Sequence, residues 1–255
     1  MVDMKRPPLV TAAVIALAEA ALGASAASAS IVELGLKSTP IIAPACPTGV
    51  SPAKCFIILT RTTALQTTTD GVVNPTKVKQ AGFIVAFTIG LSQLSTNAKT
   101  EKSYLHILDT AYGGTSRVAL TVLKPGPKNT YTVAAQSPIF HVEPYLGSVS
   151  QLPLSLPPTF SSFNALPVVP GDVIGLTVPT WAPVLAYNLN TSDFSYRQSR
   201  KPKCTQPAAS NTAQLTLGLK TQYLCSYTGT RVEYSATEIT TKPYPKKYVH
   251  APRRP

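Results

Sequence analysis

The sequence predicts an all-β protein, an antiparallel β-sandwich of jelly-roll-like type. Three observations carry that prediction. Short runs rich in β-branched and aromatic residues recur along the chain, separated by Pro, Gly, Asn and Asp. Two late runs alternate apolar and polar residues with period two. Beyond the N-terminal segment, helical periodicity is almost absent. Charged residues make up only 13% of the chain, against roughly 25% in a typical soluble domain. The polar surface must therefore come largely from Thr, Ser, Asn and Gln. With 24 prolines, that mixture suits an exported β-rich protein better than a cytosolic helical one.

The elements follow in order. Residues 1–29 read as a signal peptide: Lys5 and Arg6 form a positive start, LVTAAVIALAEAALG an apolar stretch interrupted by Glu19. Ala24-Ser25-Ala26 and Ala27-Ser28-Ala29 offer small-residue cleavage sites. The competing reading of this stretch is a retained amphipathic anchor. Residues 30–43 read as a linker, 44–237 as the sandwich and 238–255 as a basic, Pro-rich tail. Within the sandwich, FIILTRT (Phe56 to Thr62) is a strand. GFIVAFTIGL (Gly82 to Leu91), apolar on both faces, is a central one. YLHILDT (Tyr104 to Thr110) and RVALTVLK (Arg117 to Lys124) read as strands around Gly113-Gly114, and KPGPKN turns the chain into TYTVAAQ. Gln151 to Pro170 is an edge strand plus a crossover, because proline is excluded from central strands. In VVPGDVIGLTVPTWAP, Pro170-Gly171-Asp172 is a turn, and Ile174, Leu176 and Val178 then face the core. Late in the chain, Leu215, Leu217 and Leu219 share a face in AQLTLGLK. In RVEYSAT, Val232, Tyr234 and Ala236 oppose Arg231, Glu233, Ser235 and Thr237. Each of these two strands is expected to keep one wet face.

The cysteines support export. Four cysteines fall as two local pairs, and the expected disulfides are Cys46–Cys55 and Cys204–Cys225. Neither spacing fits a zinc site. Net charge is +12, and nine of the 23 basic residues sit in two stretches: Arg197, Arg200, Lys201 and Lys203, then Lys242, Lys246, Lys247, Arg253 and Arg254. Such stretches are attracted to anionic envelope polymers or a membrane surface.

The second half carries a resemblance. LPVVPGDVIGL, TWAPVLAYNL, the Arg/Ser stretch ending at Cys204, and YLCSYTGTRVEYSA together resemble uncharacterised secreted proteins of actinobacterial type. Those proteins pair a signal peptide with a cysteine-bounded β-sandwich. The resemblance covers roughly Cys46 to Thr237; it implies a secreted sandwich and supplies no activity.

Catalytic chemistry finds little to stand on. G-x-S-x-G, a phosphate-cradling Gly-rich loop and H-E-x-x-H are absent from the mature chain. His106 and Asp109, three apart on an expected strand, point to opposite faces. His141 and Glu143 are two apart and share a face, and His250 falls in the tail. Asp70 and Asp172 are isolated, so no metal is expected, and no cofactor. Binding is the better class. Trp181, Tyr187 and Tyr196 cluster as candidate ligand-binding aromatics, with a glycan or protein as ligand; core filling is the alternative for Trp181. The expected function is that of a secreted, non-enzymatic, envelope-associated or surface-binding protein, with no nucleic-acid partner. The alternatives are a secreted hydrolase built on His141 and Glu143, or a structural protein that self-assembles through edge strands.

Overall fold

The computed structural model describes residues 29–46, 57–154, 165–200 and 213–240, together with residues 50, 55 and 204. The predicted signal peptide up to residue 28, and Lys201, Lys203, Lys242, Lys246, Lys247, His250, Arg253 and Arg254, lie outside the described residues. The chain begins with β1 (Ile31–Leu34), β2 (Leu59–Thr69), β3 (Val72–Val73) and β4 (Gly82–Gly90), then helix α1 (Ala98–Tyr112). It continues through β5 (Arg117–Pro125), β6 (Thr130–Gln136), β7 (Phe140–His141), β8 (Val149–Pro153) and β9 (Leu166–Val168). It ends with β10 (Val173–Ala182), β11 (Leu185–Tyr187), β12 (Ser195–Gln198), β13 (Lys220–Gln222), β14 (Cys225–Thr228), β15 (Thr230–Val232) and β16 (Tyr234–Thr240).

These strands form an all-β, sandwich-like fold, one sheet of which curls into a half-barrel. The smaller sheet runs β1-β16-β4-β8, with β9 also on β4. The larger runs β13-β6-β5-β10-β2-β12-β14, with β3 on β2 and β7 on β5; β11 and β15 form a separate ribbon. Every recorded pairing is antiparallel. The main core lies between the sheets. Ile84, Phe87 and Ile89 from β4 meet Leu120 and Val122 from β5 and Ile174, Leu176 and Val178 from β10. Two polar side chains cross that core. Gln66 Nε2 donates to the carbonyls of Val232 (2.9 Å) and Tyr234 (2.8 Å), and Tyr234 Oη donates to the carbonyl of Ile174 at 2.9 Å.

The Pro170-Gly171-Asp172 turn is as expected. Gly171 takes φ +99°, and Asp172 Oδ2 accepts the amide of Val169 at 3.0 Å. Both disulfides form as paired, Cys46–Cys55 and Cys204–Cys225. Disulfides of this kind belong to an oxidising, extracytoplasmic environment.

Four expectations need correction. YLHILDT is not a strand: it lies inside α1, capped by Asn97 accepting the amide of Thr100 and stopped by Gly113 at φ +84°. The half-buried residues of α1 are Glu101, Tyr104, Leu105, Leu108, Asp109 and Tyr112, a helical stripe that seven residues alone do not reveal. His106 is therefore exposed, whereas Asp109 faces the body. Second, Ala213 to Leu219 is not laddered: Leu215, Leu217 and Leu219 are exposed, and only Lys220–Gln222 pairs. Third, the polar face of RVEYSAT is not wet. Arg231, Glu233 and Ser235 are each only 1% exposed, because the N-terminal segment lies over them. Fourth, the sandwich starts before Pro44 and runs past Thr237. β1 pairs with β16 from Ile31↔Ile239 to Leu34↔Ala236, a strand too short to show its period.

The N-terminal segment is held by hydrogen bonds to two buried side chains. Arg231 Nη1 donates to the carbonyls of Thr39 (3.1 Å) and Pro40 (2.8 Å), and Glu233 Oε2 accepts the amide of Ile42 at 3.2 Å. The two side chains lie 3.8 Å apart, Nη1 to Oε2. Burial pushes Glu233 up from 4.5 to about 7, against the pull of Arg231 and the Ile42 amide, with Asp70 adding a smaller push. An unfolded chain releases that proton near 4.5 and the folded chain only near 7. Stability attributable to Glu233 is thus full below 4.5 and is lost as pH rises to about 7. Urea unfolding at a series of pH values should show a decline on the order of 2–3 kcal/mol across that window. Glu233→Gln should remove the decline; an unchanged pH profile in the variant would contradict this assignment.

Candidate functional site

A cleft of about 600 Å³ opens beside the end of the larger sheet. One wall is β12 with β14; the other is β11, the Asn188–Thr191 loop and Thr230 of β15; Ile58, Leu59 and Thr60 close one end. Strand alternation places its aromatics. Tyr196 of β12 stands directly opposite Tyr227 of β14, and the rings stack 5.0 Å apart at 17°. Gln198, two residues on, shares the face and donates from Nε2 to Tyr196 Oη at 3.2 Å. Arg200 Nη1 donates to Tyr227 Oη at 3.0 Å and to the carbonyl of Cys204 at 2.8 Å.

Both disulfides brace this cleft. Cys225 sits opposite Gln198 in register and bridges to Cys204, whose carbonyl holds Arg200. Across the opening, Tyr187 Oη lies 3.7 Å from Cys55 Sγ, the bridge to Cys46. One disulfide thus ties the β14 wall to Cys204, and the other lies against Tyr187.

Of the candidate residues, Tyr187 and Tyr196 line the cleft together, and Tyr187 and Tyr227 are half-buried at its surface. Burial pushes the Tyr196 phenol well above its ordinary range, and the neighbouring Tyr227 pushes it further; Gln198 and Arg200 pull the other way more weakly. The ring therefore stays neutral at physiological pH, a hydrogen-bonding and stacking group and not a nucleophile. Arg200 is the one charged side chain among the described lining residues. Arg197 points to the other face of β12, where Nη1 donates to the carbonyl of Tyr223 at 3.3 Å. Residues missed from sequence are Tyr227, Gln198 and Asn188. The signal for Tyr227 was available: in CSYT it falls two residues after Cys225 and so shares its face.

Trp181 does not join them. It is fully buried at a β10 irregularity, and its Nε1 donates to Asp109 Oδ1 (2.9 Å) and to the carbonyl of Gly114 (3.1 Å). It fills core and pins α1 across the end of the sandwich, leaving no ring face for a ligand. His141 Nε2 and Glu143 Oε2 do meet, 3.6 Å apart, outside the cleft lining. Among the described residues no group of three or more His, Cys, Asp or Glu gathers to hold a metal. Asp70 is spent on the N-terminal segment: its Oδ2 accepts the amide of Thr39 at 2.9 Å.

Trp181 is the only tryptophan, so its fluorescence reports this corner alone. Its emission should be blue-shifted and resist iodide quenching, and Trp181→Ala should cost about 3–5 kcal/mol in urea unfolding. Quenching as efficient as that of free tryptophan would contradict the buried placement. Comparisons with protein-family models, with curated proteins and with solved structures each return no match, so the cleft itself carries the functional argument.

Proposed function

We propose that this is a secreted, non-enzymatic, envelope-associated protein whose cleft binds a segment of an anionic envelope glycan. The observation that carries this reading is the cleft: half-buried Tyr227 backed by the buried Tyr196, half-buried Tyr187 in the same lining, and Arg200 at the Tyr227 hydroxyl. Tyrosine rings pack on the apolar faces of sugars and offer hydroxyls to their polar edges. A guanidinium in the lining favours an acidic sugar over a basic one. At about 600 Å³ the cleft matches the roughly 300–1,000 Å³ of small-ligand sites. Its disulfide frame fits an oxidising compartment, and the apolar N-terminal stretch fits export. The basic tail, with Lys242, Lys246, Lys247, Arg253 and Arg254, adds sequence-independent attraction to the same anionic surface.

Retention of the purified protein on isolated cell walls tests this reading. Tyr227→Ala should weaken retention on the order of tenfold, about 1.4 kcal/mol, with a melting temperature near that of the parent. Deleting residues 242–255 should reduce the salt dependence and leave the effect of Tyr227→Ala in place. Retention that ignores Tyr227→Ala and Arg200→Ala would sink the cleft as the binding site.

A further inference from the structure

A second opening lies at the other seam of the sandwich, where β1 and the end of β16 face the segment after β3. It holds about 230 Å³ and shares no lining residue with the tyrosine cleft. Its charged lining is Glu33, Lys37, Lys77, Lys79 and Glu238. The three lysines are exposed, and Lys77 and Lys79, two apart, stand on one side.

The two carboxylates differ. Glu33 is engaged, accepting the Ser235 hydroxyl at Oε2 (3.1 Å) and the Thr237 hydroxyl at Oε1. Glu238 is 1% exposed, and its Oε1 is buried with no hydrogen-bond partner among the described residues. Strand alternation puts Glu238 on the face of Tyr234 and Ala236, at the end of β16, where the register on β4 shifts by one residue between Thr237 and Glu238. A Cβ on Gly82 would lie 2.4 Å from the Ile239 carbonyl oxygen and 3.0 Å from Glu238 Oε1, so the glycine permits the close approach of β4 to β16 and also leaves room beside the carboxylate. Buried polar groups are nearly always bonded, and an unbonded one that lines an open cavity marks a place for a donor.

We propose that this mouth binds a small zwitterion, with its primary ammonium donating to Glu238 and its anionic group lying among Lys37, Lys77 and Lys79. The volume falls below that of drug-sized sites, which restricts the occupant to a small head group such as an amino-alkyl phosphate or amino acid. An ammonium supplies the donors Glu238 lacks, and the lysines supply the opposite charge at the rim. Burial pushes the Glu238 carboxyl upward, and an ammonium beside it would favour the charged form. Glu33, Lys37, Lys77 and Lys79 are the other charged groups facing the same space. This site stands independently of the glycan reading, because its lining is separate and its test uses a different ligand.

Isothermal titration of the purified protein with phosphoethanolamine tests the proposal, with ethanolamine and inorganic phosphate as half-ligands. Saturable binding should be at least tenfold tighter for phosphoethanolamine than for either half. It should tighten as pH rises, with proton release detected by repeating the titration in buffers of different ionisation enthalpy. Glu238→Gln should weaken it at least tenfold, and Lys77→Ala with Lys79→Ala should remove the preference for phosphoethanolamine over ethanolamine. The lysine variants and the proton count keep the test decisive even where Glu238→Gln folds poorly. Parallel titration with phosphatidylethanolamine vesicles separates a lipid head group from a free zwitterion as the source. Absence of saturable binding, phosphate binding as tightly as phosphoethanolamine, or binding indifferent to Glu238→Gln each overturns the proposal.

Discussion

A curled sheet has two faces to satisfy, and here the smaller sheet covers only one of them. The other face of the larger sheet carries a line of buried hydroxyls on its central strands. Thr63 Oγ1 bonds to Thr177 Oγ1 at 2.8 Å, and Thr177 Oγ1 to Thr121 Oγ1 at 2.6 Å. Without partners these groups would each carry a desolvation cost of about 1–3 kcal/mol. Gln136 reaches Thr121 from β6, and the segment Gln214 to Tyr223 lies across the rest. Every polar group of Gln214 is engaged. Its amide donates to Thr63 Oγ1 at 3.0 Å, and its carbonyl accepts Gln136 Nε2 at 2.8 Å. Its Nε2 donates to the carbonyls of Tyr131 and Leu219, and its Oε1 accepts the Tyr223 hydroxyl. Around that polar line Leu65, Leu123, Val133, Val173 and Tyr223 form a second, smaller core.

The tyrosine cleft depends on this closure. Tyr223 leads directly into β14, which carries Tyr227 and the cysteine bonded to Cys204. The wall of the tyrosine cleft is thus the continuation of the segment that seals the larger sheet. The N-terminal segment performs the matching task for β15 and the start of β16, where Arg231 and Glu233 would otherwise be wet. Each covering segment has only one short strand, β1 or β13, and both are secured beside a disulfide, one ending at Cys46 and the other at Cys225.

Regular strands were the most legible part of the sequence. TYTVAAQ matches β6, RVALTVLK lies within β5, and the core face of VIGLTV falls where its alternation puts it. What stayed hidden was anything that depends on a distant partner. The leucines of AQLTLGLK alternate well enough for a strand, but the hydroxyl line asks for Gln214, and its bonds fix the backbone in another shape. The alternation of RVEYSAT was right; its wetness was not, because burial of Arg231 is decided by residues some 190 positions earlier. Tyr187 and Tyr196 were found as aromatics near a corner, whereas their common cleft arises from the pairing of β11 with β15 and of β12 with β14, which no local pattern records. Trp181 was ambiguous because a large ring serves a core and a ligand equally well until its neighbours are known.

Gln214, seated on the Thr63–Thr177–Thr121 line, holds the segment that seals the larger sheet and supports the cleft wall. Hydrogen exchange of Gln214→Ala against the parent protein tests it most directly. Faster exchange is expected through residues 213–225, β12 and β14, while β4 and β16 keep their protection. Unchanged protection across 213–225, or a loss spread equally into β4 and β16, would contradict it.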